Sequence, residues 1–182
     1  MMRKIHYYSI LSIVFIKVKQ DITMNEELEY RGYVFVNSAL SSIQKGVQGA
    51  HAMVEVTNRY NYSSVTYDEV PAASARVVWD WRNEHKTLIF LEAGFHRGLL
   101  ENYLTFAQHC EKLGLPYALF VEDDDTMNSM ATAFAGVVPS SIYDIDLNEY
   151  DMVKSTPGMF MEVDDPDDVA LCRFLKQFHL AR

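Results

Sequence analysis

Four short β-rich runs punctuate the chain, and a long stretch of helical pattern separates the first from the second. The runs are Tyr33–Asn37 (YVFVN), Lys86–Glu92 (KTLIFLE), Tyr117–Val121 (YALFV) and Ala131–Val138. Two strands joined through helices pair parallel, by a right-handed crossover. The last two runs are joined by about nine polar residues, which suits an antiparallel pair. The order β-α-α-β-α-β-β-α therefore predicts an α/β fold, a small mixed four-stranded sheet with helices on both faces.

The intervening helices read from their ends and periods. Ser41 and Ser42 offer an N-cap to a helix reaching about Arg59, with an apolar stripe of Ile43, Val47, Ala50 and Val54. Pro71 opens a second helix running to about His85. A third spans Leu99–Leu113 and ends at Gly114, and a last one starts at Asp164-Asp165-Pro166. Residues 140–163 read as irregular. The expected core includes Val34, Val36, Val47, Val54, Leu88, Ile89, Leu104, Leu119 and Val137.

The first 23 residues stand apart. Tyr7–Ile16 is a ten-residue apolar run, too short for a membrane helix of about 20 residues. A secretory signal has an apolar run of this length, but Lys17, Lys19 and Asp21 follow in place of a small-residue cleavage pattern. Met24 begins a polar lead into the first strand. We therefore expect residues 1–23 to be an extension outside the fold, 24–140 an α/β domain, and 141–182 an acidic extension and helix packed on it.

Charge narrows the function classes. The chain has 16 Lys+Arg against 25 Asp+Glu, a net charge of −9. Such a molecule repels polyanions, so nucleic-acid binding needs a local basic patch. Cys110 and Cys172 both fall in helical segments and read as free core thiols of a reducing cytoplasm.

Two places could carry chemistry. Gly46 and Gly49 each cost roughly 1 kcal/mol relative to alanine inside a helix, which suggests a close approach of backbone or ligand. Beside them Gln44, Gln48, His51 and Glu55 form a polar row. A solvated face with tight helix–sheet packing at the glycines is the simpler reading of this row, and His51 with Glu55 lacks the second histidine of a zinc helix. The second place is Glu122-Asp123-Asp124-Asp125, directly after a strand. It could bind metal, activate water or be a solvated loop; its spacing is not that of an EF-hand, and local sequence alone favours the solvated loop.

Taken together, several segments resemble the type 2 peptidyl-tRNA hydrolases. SSIQKGVQGAHAMVEV (Ser41–Val56) is similar to that family's first-helix pattern G-K-(I/V/M)-A-A-Q-x-x-H-A, with Gln48, His51 and Ala52 matching directly. LGLPYALFVEDDDT (Leu113–Thr126) and AFAGVVP (Ala133–Pro139) resemble the L-G-L-x-x-x-L-I-x-D and L-G-I-G-P stretches, with Gly114, Leu115, Gly136 and Pro139 in register and Asp123 taken for the aspartate. The likeness runs over about residues 30–140 in the same order.

The resemblance implies hydrolysis of the ester between a peptidyl or aminoacyl group and tRNA. It implies a catalytic group of Lys45, Asp123 and Thr132, and substrate contacts from Gln44, Gln48 and His51. Asp123 would orient or deprotonate water, Thr132 would fix the water or ribose, and Lys45 would stabilise the oxyanion together with the helix N-terminus. No cofactor or metal is implied, the partner is a tRNA ester with no membrane, the setting is cytoplasmic, and a homodimer is compatible. The family places its lysine at the position of Gln44, whereas Lys45 lies one residue on, a rotation of about 100°. The tRNA phosphates would need Arg31, Lys45, Arg59, Arg76, Arg82 and Lys86. Glu122–Asp168 holds 13 acidic residues and one base, Lys154, so that half should face away from RNA. The alternative is a binding protein of the same fold without activity, for a small ligand or protein partner; the acidic balance and displaced lysine favour it.

A chain beginning at Met24 should remain soluble and melt in one cooperative transition by circular dichroism. Loss of folding on removing residues 1–23 would place Tyr7–Ile16 in the core.

Overall fold

In the computed structural model the described residues are 29–61, 71–123, 130–156 and 164–181. The expected extension 1–23 lies outside them, as do Asp124 and Asp125. Strands β1 (Tyr30–Val36), β2 (Thr87–Glu92), β3 (Tyr117–Val121) and β4 (Ala131–Pro139) form one sheet in the order β2-β1-β4-β3. β1 runs parallel to β2 and antiparallel to β4, and β3 is antiparallel to β4. The expected mixed four-stranded α/β sheet is therefore present.

Helices cover both faces. Helix α1 (Ser42–Arg59) and helix α2 (Ala72–Asp80), which continues into a π-helical turn at Trp81–His85, lie on one side. Their Ala52, Met53, Val56, Val78 and Trp81 pack on Val34, Val36, Ala135 and Val137. Helices α3 (His96–Leu113) and α6 (Pro166–Lys176) lie on the other. There Phe106 and Phe174 pack around Phe35, whose ring stacks on that of Phe134 at 4.4 Å. Alternation along β1 sends Tyr33 and Phe35 to one face and Val34 and Val36 to the other, and all four are fully buried. Cys110 and Cys172 are buried free thiols.

The structure revises the expected face of α1. Ile43, Val47 and Val54 are 82%, 47% and 51% exposed. The inward stripe is Lys45, Gln48, Gly49, Ala52, Met53 and Val56, two positions further on and so about 200° round the helix. The reason is close approach. A Cβ built at Gly49 would stand 2.7 Å from Val34 Cγ1 and nearer still to the Phe90 ring, whereas one at Gly46 would meet nothing. Small residues at positions 49 and 52 let the helix axis sit low on the sheet, and a row of branched side chains would hold it off.

Other revisions follow from position. Leu88 is 43% exposed because β2 is an outer strand, and Leu104 is 58% exposed on the outer side of α3. Ile89 and Leu119 are half-buried against the core, while Val34, Val36 and Val137 are buried as expected. Helix α3 begins one turn earlier than expected, at His96. Residues 140–156 are helical, in α4 (Ser140–Asp144) and α5 (Leu147–Ser155). Asp146 caps α5 by accepting from the N–H groups of Asn148 and Glu149, and Ile142, Ile145 and Leu147 join the α3–α6 core. The far edge of β2 is covered by the chain end: Glu92 N–H donates to His179 C=O at 3.0 Å, and Ala181 N–H to Phe90 C=O at 2.9 Å.

Opposite outcomes are expected at the two glycines. Gly46→Ala should raise stability by about 0.5–1 kcal/mol, because an exposed helix interior gains from alanine. Gly49→Ala should lower it by about 1–3 kcal/mol through overpacking. Urea unfolding of both variants checks the pair.

Candidate active site

The polar groups of interest collect at one end of the sheet, where β1, β2 and β3 finish and β4 begins. Ligands favour this end of parallel strands, where backbone groups and loops converge. Helix α1 starts directly above it. Its N-terminus is closed by a capping box: Gln44 N–H donates to Ser41 Oγ, and Ser41 N–H donates to Gln44 Oε1 at 3.1 Å. Gln44, expected at the substrate, is thus an exposed capping residue.

Lys45, one position further, is only 8% exposed. Its Nζ donates to Glu92 Oε1 at 2.6 Å, an ion pair with the last residue of β2. The inward rotation of α1 turns Lys45 toward the sheet. Glu92 was not singled out from sequence. The available signal was its place: a carboxylate ending a parallel strand at the sheet end where α1 begins.

Gln48 lies one turn below Lys45 on the same face. Its Nε2 donates to Glu122 Oε1, and its Oε1 accepts from Thr132 Oγ1 at 3.0 Å. Simple alternation would send the Thr132 side chain to the sheet face opposite α1. The β3–β4 register explains its position: Phe120 pairs with Ala133 but Val121 pairs with Ala131, so Thr132 is the extra residue of a β-bulge. Bulges re-aim side chains in this way. Thr132 is fully buried, and its carbonyl accepts from Asn37 N–H at 3.0 Å, tying the bulge to the end of β1.

Glu122 also lines an open cleft of about 280 Å³ with His51, Val54, Glu55, Phe120, Val121 and Asp123. His51 is exposed, and its ring meets Phe120 edge-on at 4.7 Å. Asp123 is exposed at the cleft rim. Gln44 apart, the expected site residues therefore fall into two connected places. Lys45, Gln48 and Thr132 are in the buried polar layer, His51 and Asp123 are in the cleft, and Glu122 belongs to both. Chemically, the cleft offers carboxylate oxygens beside an aromatic wall, with a fixed hydrogen-bond relay behind one of them.

The basic residues expected to meet phosphates are dispersed. Arg31 sits at the start of β1, the far end of the sheet, with Glu29 at 3.5 Å and Asp144 at 3.7 Å. Arg76 pairs with Asp80 and lies over the Trp79 ring, and Arg59 lies over the rings of Tyr60 and Tyr117. Arg82 and Lys86 are exposed. No helix among the described residues is long and apolar enough to cross a membrane.

No protein-family model matches the chain, and no curated protein matches it.

The ion pair can be measured apart from any activity. In a double-mutant cycle of Lys45→Met and Glu92→Gln, the two changes should couple by about 1–3 kcal/mol in unfolding free energy. Strict additivity would contradict the pairing.

Proposed function

We propose that the chain is a hydrolase acting on the ester that joins an aminoacyl or peptidyl group to tRNA. The observation that carries this reading is the Thr132–Gln48–Glu122 relay beside an open cleft. It unites three segments distant in sequence, and these are the segments in which the chain resembles the type 2 peptidyl-tRNA hydrolases. Ester hydrolysis needs a carboxylate to take a proton from water and a donor to stabilise the oxyanion. The cleft has carboxylates at Glu122 and Asp123, and the resemblance gives the water to Asp123. Lys45 is the donor in this reading, with the dipole of α1 favouring negative charge at the start of the helix. His51 and Phe120 would flank the leaving group. The same reading places the protein in the cytoplasm and is compatible with a homodimer.

One observation favours the second reading, a binding protein of this fold without hydrolase activity. Lys45, the cation an oxyanion requires, is already charge-paired with Glu92.

Release of the acyl group from peptidyl-tRNA and from aminoacyl-tRNA by the purified full chain decides between them. The hydrolase reading expects turnover, and Lys45→Met should reduce it about 100-fold, as removal of an oxyanion donor does. No turnover of either ester would leave the binding protein.

A further inference from the structure

We propose that the open cavity beside the end of β2, walled by the last residues of the chain, holds the acyl part of the ester and takes an acyl group with a bulky apolar side chain. The inference rests on the hydrolase reading and deepens it by naming the substrate class.

The cavity measures about 940 Å³ and is lined, among the described residues, by Glu92, Phe178, His179, Leu180 and Ala181. Pockets that enclose a small ligand fall in the range of about 300–1,000 Å³. Glu92 pairs with Lys45 at 2.6 Å, so the cavity adjoins the cation of the candidate site. The cleft at Glu122 lies at the opposite edge of the same sheet end, on β3. Three strand intervals separate β2 from β3, roughly 14 Å. An ester with its carbonyl at Lys45 therefore has a place on each side. His51 and Phe120 flank the ribose on the β3 side, and the acyl group extends toward β2.

The cavity wall is tied to the fold. Glu92 N–H donates to His179 C=O and Ala181 N–H to Phe90 C=O, and Leu180 stands opposite Leu91 in antiparallel pairing. The Phe178 ring meets Phe35 edge-on at 5.2 Å and Phe174 edge-on at 4.9 Å between centroids. These contacts fix the segment before a substrate arrives, which reduces the ordering cost of binding.

The lining chooses among acyl groups. Phe178, Leu180 and Ala181 are apolar, and Leu180 is 67% exposed. The charge of Glu92 is compensated by Lys45. A glycyl group would leave the apolar wall in water, whereas a phenylalanyl or leucyl group would cover it. The wall lies beyond residues 30–140, where the likeness to the hydrolase family runs, so this preference comes from the chain's own C-terminal segment.

The test is steady-state hydrolysis by the full chain of two esters carried on the same tRNA, N-acetylphenylalanyl and N-acetylglycyl. Both are acetylated so that no free amine meets Glu92. The phenylalanyl ester should be favoured at least about tenfold in kcat/KM, as an apolar pocket favours added apolar groups. Leu180→Glu, which places a charge in the wall, should bring the ratio close to one by raising KM for the phenylalanyl ester. Circular dichroism checks that the variant folds; should it not, Leu180→Ser takes its place, with a smaller ratio again expected. Equal kcat/KM for the two esters in the unaltered chain, or an equal loss on both in the Leu180 variant, would overturn the acyl pocket while leaving the hydrolase reading intact. Absence of turnover of either ester in the unaltered chain would overturn both.

Discussion

The close approach of α1 to the sheet at Gly49 is the contact on which the site depends. With no Cβ at that position, Val34 and Phe90 reach the helix backbone. Once the helix is seated there, its rotation is fixed, and Lys45 and Gln48 are carried inward on the same stripe as Ala52, Met53 and Val56. A larger residue at position 49 would lift the helix, and the two polar side chains would lose their partners on the strand ends. Fold and site are therefore set by one packing event.

Burying Lys45, Gln48 and Thr132 would be costly without compensation. An unsatisfied buried polar group costs about 1–3 kcal/mol, and an unpaired charge more. Each of the three has a partner: Lys45 has Glu92, and Gln48 lies between Thr132 and Glu122. The satisfied network also fixes orientation, because the hydroxyl and the carboxylate leave the amide one arrangement. A hydrophobic layer of the same volume would hold the helix on the sheet equally well. It would not fix a carboxylate at the wall of an open cleft, which is why we read this layer as functional.

Much of the fold was legible in the sequence. Short β-branched and aromatic runs, Pro71 ahead of a helix and Gly114 after one marked the elements, and connection length separated the parallel pair from the antiparallel one. The face of α1 was not legible. Ile43, Val47, Ala50 and Val54 make a regular apolar stripe, and hydrophobicity alone favours burying it. The alternative stripe begins with a lysine and a glutamine, and its merit is small size at Gly49 and Ala52 together with partners supplied from β2, β3 and β4. Residues 140–156 were illegible for a related reason: their short helices gain their stability from Ile142, Ile145 and Leu147 meeting α6, which lies later in the chain. For the site, Lys45, Gln48, Thr132 and Asp123 could be named from resemblance, but the partnership of Lys45 with Glu92 could not.

The sequence by itself determined which segments are strands and helices, the parallel and antiparallel connections, and the presence of polar residues where strands end. These depend on local conformational preference and on chain length between elements, both of which are written in consecutive residues. Tertiary structure alone decided the rotation of α1, the bulge that turns Thr132 toward Gln48, and the choice of Glu92 and Glu122 as partners. Those outcomes depend on the fit between surfaces that meet only after folding. One missing Cβ and one extra residue in β4 outweigh the hydrophobic pattern, because steric overlap and unpaired buried polar groups each cost as much as the burial of an aliphatic side chain contributes.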